Sequence, residues 1–224
     1  MTKEEHGERF RWFDTRTTLE AMSRTYTLEP TSNRRSFVGT DSEGDGIRVA
    51  LPGFFPIPTD CSSLGSYLDW LPAELPRSCI ILLRSGYAAV ALCSGAGIER
   101  AKVVRRYTVR KKQGGAQTRR QSKKPAKSVG ARLRMRESER LWVDLAQVLG
   151  AWSAGINQCD LIFLGSTPQL KGELFASPVK TVLRRQDPRI LPLGLPYAQP
   201  SKLVLEKAYR ELAMGYWVIR PNES

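Results

Sequence analysis

Histidine is almost absent from this 224-residue chain: His6 is the only one, close to the first residue. That leaves no basis for a histidine general base or a histidine-rich metal site. Cysteine is scarce as well. Cys61, Cys79, Cys93 and Cys159 include no C-x-x-C pair, and their spacings fit no zinc motif. Three of them, Cys79, Cys93 and Cys159, sit in or beside apolar runs and are expected to be reduced core residues. No apolar run approaches the ~18 residues that a membrane helix needs. The opening Met1-Thr-Lys-Glu-Glu-His6 carries acidic residues where a signal peptide would be basic. The expectation is a cytoplasmic protein with no membrane partner. Also missing are a G-x-S-x-G elbow, a Walker lysine and a carboxylate cluster of metal-site pattern, so no metal and no cofactor is expected. Ser94-Gly-Ala-Gly97 is not a nucleotide loop, because Arg100 stands where a third glycine would be; it reads as a hairpin turn.

What is present is a globular composition with its charge concentrated in one place. Hydrophobic residues make up 41% of the chain, enough to bury a core without disulfides. The net charge is +13. From Arg100 to Arg140 there are 16 Lys and Arg against two acidic residues, Glu137 and Glu139, which leaves 19 basic and 20 acidic residues elsewhere. One segment therefore holds the whole excess. A field of that density attracts polyphosphate, and RNA is the expected partner. A membrane surface fits less well, because the segment lacks the Trp/Phe/Leu face of an interfacial helix.

The pattern along the chain predicts an α/β fold with a mixed β-sheet flanked by helices. Residues 1–76 are set apart as an N-terminal region of uncertain role, with a short helix over Thr15–Met22, strands at Ser36–Val38 and Ile47–Leu51, and a proline-punctuated connection. Residues 77–224 are expected to form one domain. In it, Cys79–Leu83 reads as a strand buried on both faces, Tyr87–Cys93 as a second and Ile98–Val109 as a third, joined as an antiparallel meander. Gln113–Lys127 is almost free of apolar residues and reads as a long basic loop. In the helix that follows, Leu141, Leu145, Val148, Leu149 and Trp152 share one face. Arg140 pairs with Asp144 four residues on, and Gly155 ends the helix. Asp160–Leu164 is a further buried strand, Pro168–Phe175 a short helix, and Ile190–Leu195 a strand broken by Pro192. Ser201–Met214 is a helix capped by Ser201, and Tyr216–Ile219 a last strand.

At the tip of the basic segment lies Gln113-Gly-Gly-Ala-Gln117. Gly114 and Gly115 permit backbone conformations that a Cβ forbids. The Gln117 amide cannot shuttle protons, but it can hold a water or polarise a carbonyl. Tyr107-Thr-Val-Arg-Lys-Lys-Gln-Gly-Gly-Ala-Gln117, followed by Ser128-Val-Gly-Ala-Arg-Leu-Arg134, resembles the Vms-like release factors, relatives of the catalytic middle domain of eukaryotic class I release factors. Their pattern is a G-x-x-Q loop after a strand, a basic stretch, and a Ser-x-Gly-Ala element opening a long helix. Gly114-Gly-Ala-Gln117 matches the first part; Ser128, Gly130 and Ala131 match the second. Ala116 is one residue more than the GGQ of ordinary release factors. The match is close from Val103 to Leu149 and looser from Ser78 to Met214.

The resemblance implies a release-factor middle-domain-like fold and cleavage of peptidyl-tRNA on stalled ribosomes or large subunits. Its implied partners are rRNA and peptidyl-tRNA. Gln117, Gly114 and Gly115 would form the catalytic loop. RNA contacts would come from Arg110, Lys111, Lys112, Arg119, Arg120, Lys123, Lys124, Lys127, Arg132 and Arg134. Two chemistries stay open: hydrolysis of the peptidyl ester by a water held on Gln117, or cleavage of the tRNA backbone near its 3′ end with Arg or Lys stabilising the charged phosphorus centre. A non-catalytic RNA-binding module and a nuclease on free RNA are the remaining alternatives.

Overall fold

A computed structural model describes residues 6–106, 129–194 and 199–220, with side chains described outside 6, 129–135 and 180–181. The chain divides into two compact units, one made of residues up to Pro76 together with those from Lys207 onward, the other of Arg77–Glu206. The C-terminal boundary thus differs from the expected 77–224: the last strand completes the first unit's sheet.

In chain order the elements are β1 (His6–Arg11), α1 (Thr15–Ser23), β2 (Thr27–Pro30), β3 (Ser36–Thr40), β4 (Gly46–Ala50), α2 (Leu64–Trp70), β5 (Ser78–Arg84), β6 (Tyr87–Ser94), β7 (Gly97–Arg105), α3 (Val129–Ala151), α4 (Ser153–Asn157), β8 (Leu161–Gly165), α5 (Pro168–Ala176), β9 (Ile190–Pro192), α6 (Lys202–Leu212) and β10 (Met214–Arg220). The α/β class stands, but the strands form two five-stranded sheets rather than one.

The first sheet is antiparallel, ordered β1-β10-β4-β3-β2. The proline-punctuated connection is bound into this unit's core. Phe37 meets Tyr67 edge-on with centroids 5.3 Å apart, and the buried Tyr67 hydroxyl donates to the Phe55 carbonyl at 2.9 Å. Phe54 packs on Tyr209 of α6 at 5.4 Å. Gly215 lets β10 run close past its neighbours. A Cβ there would come within 2.2 Å of the Phe10 ring and 2.8 Å of the Ala50 carbonyl oxygen.

The second sheet has the order β7-β6-β5-β8-β9. β5, β6 and β7 form the expected antiparallel meander, while β8 and β9 run parallel to β5. β5 lies at the centre and buries every residue from Ser78 to Leu83, which explains its unbroken apolar composition. At the β5–β6 turn Gly86 has φ +77°, a conformation glycine adopts without a Cβ penalty. Leu141, Leu145 and Leu149 of α3 insert into this sheet's core together with Trp142. α5 is capped as its sequence indicates: Pro168 occupies the first turn, and the Thr167 hydroxyl accepts the Leu170 N–H at 3.3 Å. Ser201 likewise caps α6 by accepting the Val204 N–H at 3.2 Å.

Three local expectations are corrected. β7 ends at Arg105, not Val109. α3 ends at Ala151, where the Trp152 N–H bonds both the Val148 and the Leu149 carbonyls, and Gly155 lies inside α4. Asp144 pairs with Arg106, while Arg140 pairs with Glu137 at 3.0 Å. A local helix pair contributes only about 0.2–0.5 kcal/mol, so a tertiary guanidinium readily replaces it.

Candidate functional site

The basic segment connects the end of β7 to the start of α3. The expected residues from Arg110 to Ser128, including Gly114, Gly115 and Gln117, lie outside the described residues. Gly130, Ala131, Arg132 and Arg134 fall in the first two turns of α3.

The described frame fixes both ends of that segment. Arg106 follows directly on β7. Its backbone N–H donates to the Gly86 carbonyl at 2.8 Å, which extends the sheet pairing by one bond past the strand. Its guanidinium reaches α3: Nε donates to Asp144 Oδ2 at 2.7 Å and Nη2 donates to the same oxygen. The side chains remain 36% and 29% exposed, so the pair is partly screened. One residue thereby ties the exit strand to the hairpin turn and to the return helix.

From Asp144 the helix runs on toward its N-terminus at Val129. No side chain described between Arg136 and Arg140 is buried, and the buried stripe begins at Leu141. Val129–Arg140 spans about 18 Å at 1.5 Å per residue. The first turn of α3 contains Gly130 and Ala131. The positive field continues onto this frame. Arg100, Lys102 and Arg105 are exposed on β7, as is Arg136 on α3, and none makes an ion pair among the described residues.

The cysteines carry no chemistry here. All four are free and buried. Burial pushes the Cys93 thiol up to about 12 and the Cys159 thiol up to about 11, and raises Cys79 as well. These thiols stay protonated and unreactive near neutral pH. Among the described residues no group of three His, Cys, Asp or Glu side chains could hold a metal ion, and no helix is long and apolar enough to cross a membrane.

β7 and α3, joined by the Arg106–Asp144 pair, bracket the segment in which the sequence places its glycine-glutamine motif. The family model described as Bacteroidetes VLRF1 release factor matches residues 78–218. The chain belongs to this release factor family. The match runs from β5 into β10 and so covers the whole frame. Human tRNA endonuclease ANKZF1 is 30% identical over 149 residues, covering 65% of this chain and 20% of that protein. Saccharomyces cerevisiae tRNA endonuclease VMS1 is 34% identical over 113 residues, covering 50% of this chain and 18% of that protein. The chain thus spans about a fifth of the length of the curated relatives it matches. The solved Vms1 mitochondrial localization core superimposes with a TM-score of 0.53 at 17% identity, covering 93% of this chain and 83% of that one, and the likeness shows a shared fold.

Sequence reasoning singled out the tip of the segment and missed its root. Arg106 was submerged in a run of cations, and its partner Asp144 was given to Arg140. No local signal distinguishes Arg106 from Arg105; only the pairing of β6 with β7 and the placement of α3 do.

Proposed function

We propose that this protein cleaves peptidyl-tRNA on stalled ribosomes or large subunits and so frees the nascent chain, acting in the cytoplasm in ribosome-associated quality control. The observation that carries the reading is the family match over residues 78–218, which encloses Gly114-Gly-Ala-Gln117 between β7 and α3. Gln117 holds a water against the ester carbonyl, and the glycine-rich backbone offers N–H groups to the developing oxyanion. The C–O bond to the tRNA breaks, the peptide leaves as a carboxylate and the tRNA keeps its hydroxyl. The surrounding cations hold the RNA, with affinity that falls steeply as salt rises.

A second chemistry is favoured by one observation: the curated relatives are named tRNA endonucleases. In that chemistry the same loop directs cleavage of the tRNA backbone near its 3′ end, with Arg119, Arg120, Lys123 and Lys124 stabilising the charged phosphorus centre. The test incubates stalled large-subunit complexes bearing a labelled nascent chain with the protein and with Gln117→Ala. Loss of release in the variant is expected. Equal release by both removes Gln117 from the mechanism. Sequencing the 3′ end of the tRNA product separates ester hydrolysis from backbone cleavage.

A further inference from the structure

The second unit contains a cleft that the proposed reaction does not use. It encloses about 520 Å³ at the C-terminal ends of the parallel strands β5 and β8. In an open α/β sheet that is the end where ligands are usually bound. One wall is the β5–β6 turn, whose Gly86 carbonyl also accepts the Arg106 N–H at the root of the basic segment. The opposite wall comes from α3 and the start of α5.

The chemistry of the lining is specific. Arg84, at the end of β5, is exposed and has no ion-pair partner among the described residues. Tyr87 presents a half-buried ring with no ring contact among the described residues, and Leu141 and Leu170 extend the apolar wall. Glu173 on α5 lines the cleft with its carboxylate held by the Gln169 amide, which donates at 3.0 Å. A cation, an apolar wall with an aromatic ring, and a fixed carboxylate match the three parts of one nucleotide. The phosphate is taken by Arg84, the base by the ring and leucines, and the ribose 2′-hydroxyl donates to Glu173. The single carboxylate also repels a second phosphate, so the cleft takes one unstacked residue and not a duplex.

We infer that the cleft formed by the β5–β6 turn, α3 and α5 binds a single ribonucleotide of the RNA engaged by the adjoining basic segment, with Arg84 on its phosphate and Glu173 on its 2′-hydroxyl. This deepens the release reading and rests on it for the identity of the RNA.

The test titrates the full chain with adenosine 5′-monophosphate, its 2′-deoxy analogue and inorganic phosphate by calorimetry at near-physiological salt. Inorganic phosphate reports what the cations bind without a base or a ribose. The ribonucleotide is expected to bind about tenfold tighter than the deoxy analogue, the usual weight of a hydrogen bond to a charged group. Arg84→Ala is expected to weaken it about tenfold, and Glu173→Gln to abolish the ribose preference while leaving phosphate binding unchanged. Arg84 is exposed and Glu173→Gln is isosteric, so both variants should fold; circular dichroism checks this. Equal affinity for the ribonucleotide and phosphate, with no effect of Arg84→Ala, overturns the inference. Release that depends on Gln117 with no ribose preference in the cleft overturns the cleft alone. Ribose-selective binding with release indifferent to Gln117→Ala overturns the release reading alone.

Discussion

The clasp between Arg106 and Asp144 should matter far more to activity than to stability. Both guanidinium donors converge on a single carboxylate oxygen, and both side chains are about a third exposed. Such a pair contributes about 1 kcal/mol, at the upper end for exposed ion pairs. In a chain of this length Asp144→Ala should therefore lower the melting temperature by about 2–4 °C. Arg106→Ala should cost a similar amount, and the double variant little more than either single one. A double-mutant cycle on thermal unfolding should return a coupling of about 1 kcal/mol. On the proposed function, activity should respond more strongly, because the clasp joins the two elements that bracket the proposed catalytic loop. Small misplacements of a positioning element can cost orders of magnitude in rate. A loss of about tenfold or more in single-turnover peptide release is expected for either single variant at a temperature where both are fully folded. The charge-reversed pair Arg106→Asp with Asp144→Arg should recover part of it. A coupling below about 0.3 kcal/mol, or release unchanged in both single variants, would refute the reasoning.

Leu145 is fully buried in the core beneath α3, so Leu145→Ala should cost about 2–5 kcal/mol in denaturant unfolding. Asp187 accepts from Arg189, whose guanidinium also donates to the Ile156, Asn157 and Cys159 carbonyls. The Arg189 hydrogen bond holds the Asp187 carboxyl below its ordinary value, so the stability it contributes is present above about 3.8 and is lost as pH falls below that. Asp187→Asn should flatten the acid limb of a stability–pH curve. Cys93 titrates in the opposite sense. Its thiol is raised from 9.0 to about 12 by burial, so the unfolded chain ionises first and stability falls as pH rises between those values. Cys93→Ala should reduce that alkaline loss, and native Cys93 should resist alkylation at pH values where a denatured chain reacts at once.

The sequence was legible where a single residue's surroundings decide its structure. The continuous apolar run at β5, the Thr167 and Ser201 caps and the leucine stripe of α3 all follow from local spacing. It was illegible where partners lie far apart along the chain. β1 reads as six mostly polar residues and becomes a strand only because β10, some two hundred residues later, supplies its ladder. β10 itself looks like a terminal strand of the second unit until it inserts between β1 and β4. The helix α2 lies in the proline-punctuated region, where the prolines drew attention from Ser63 and Ser66, which form a reciprocal capping box. At the candidate site the same division holds. Glycine, glutamine and cation density mark the tip by composition alone, whereas the Arg106–Asp144 root and the cleft beside Gly86 arise from strand and helix placement.

If the start of α3 positions the proposed catalytic loop, the helix's length and its phase should be separable. The stretch between Arg136 and Arg140 has no buried side chain, so residues added there place no new group in the core. One extra alanine advances the N-terminal end by about 1.5 Å and rotates it by about 100°. Seven extra residues move it by about 10 Å while returning the same face to within about 20°. Both insertions should leave the melting temperature nearly unchanged, because alanine and leucine-free helix formers extend an exposed helix at little cost. The single insertion should abolish release by rotating the helix start relative to the end of β7. The seven-residue insertion should also abolish it if distance matters, and should retain it if only the facing of the helix matters. Full activity in the single-alanine variant would mean that the helix start has no fixed relation to the proposed catalytic loop, and the positioning role assigned to α3 would fall.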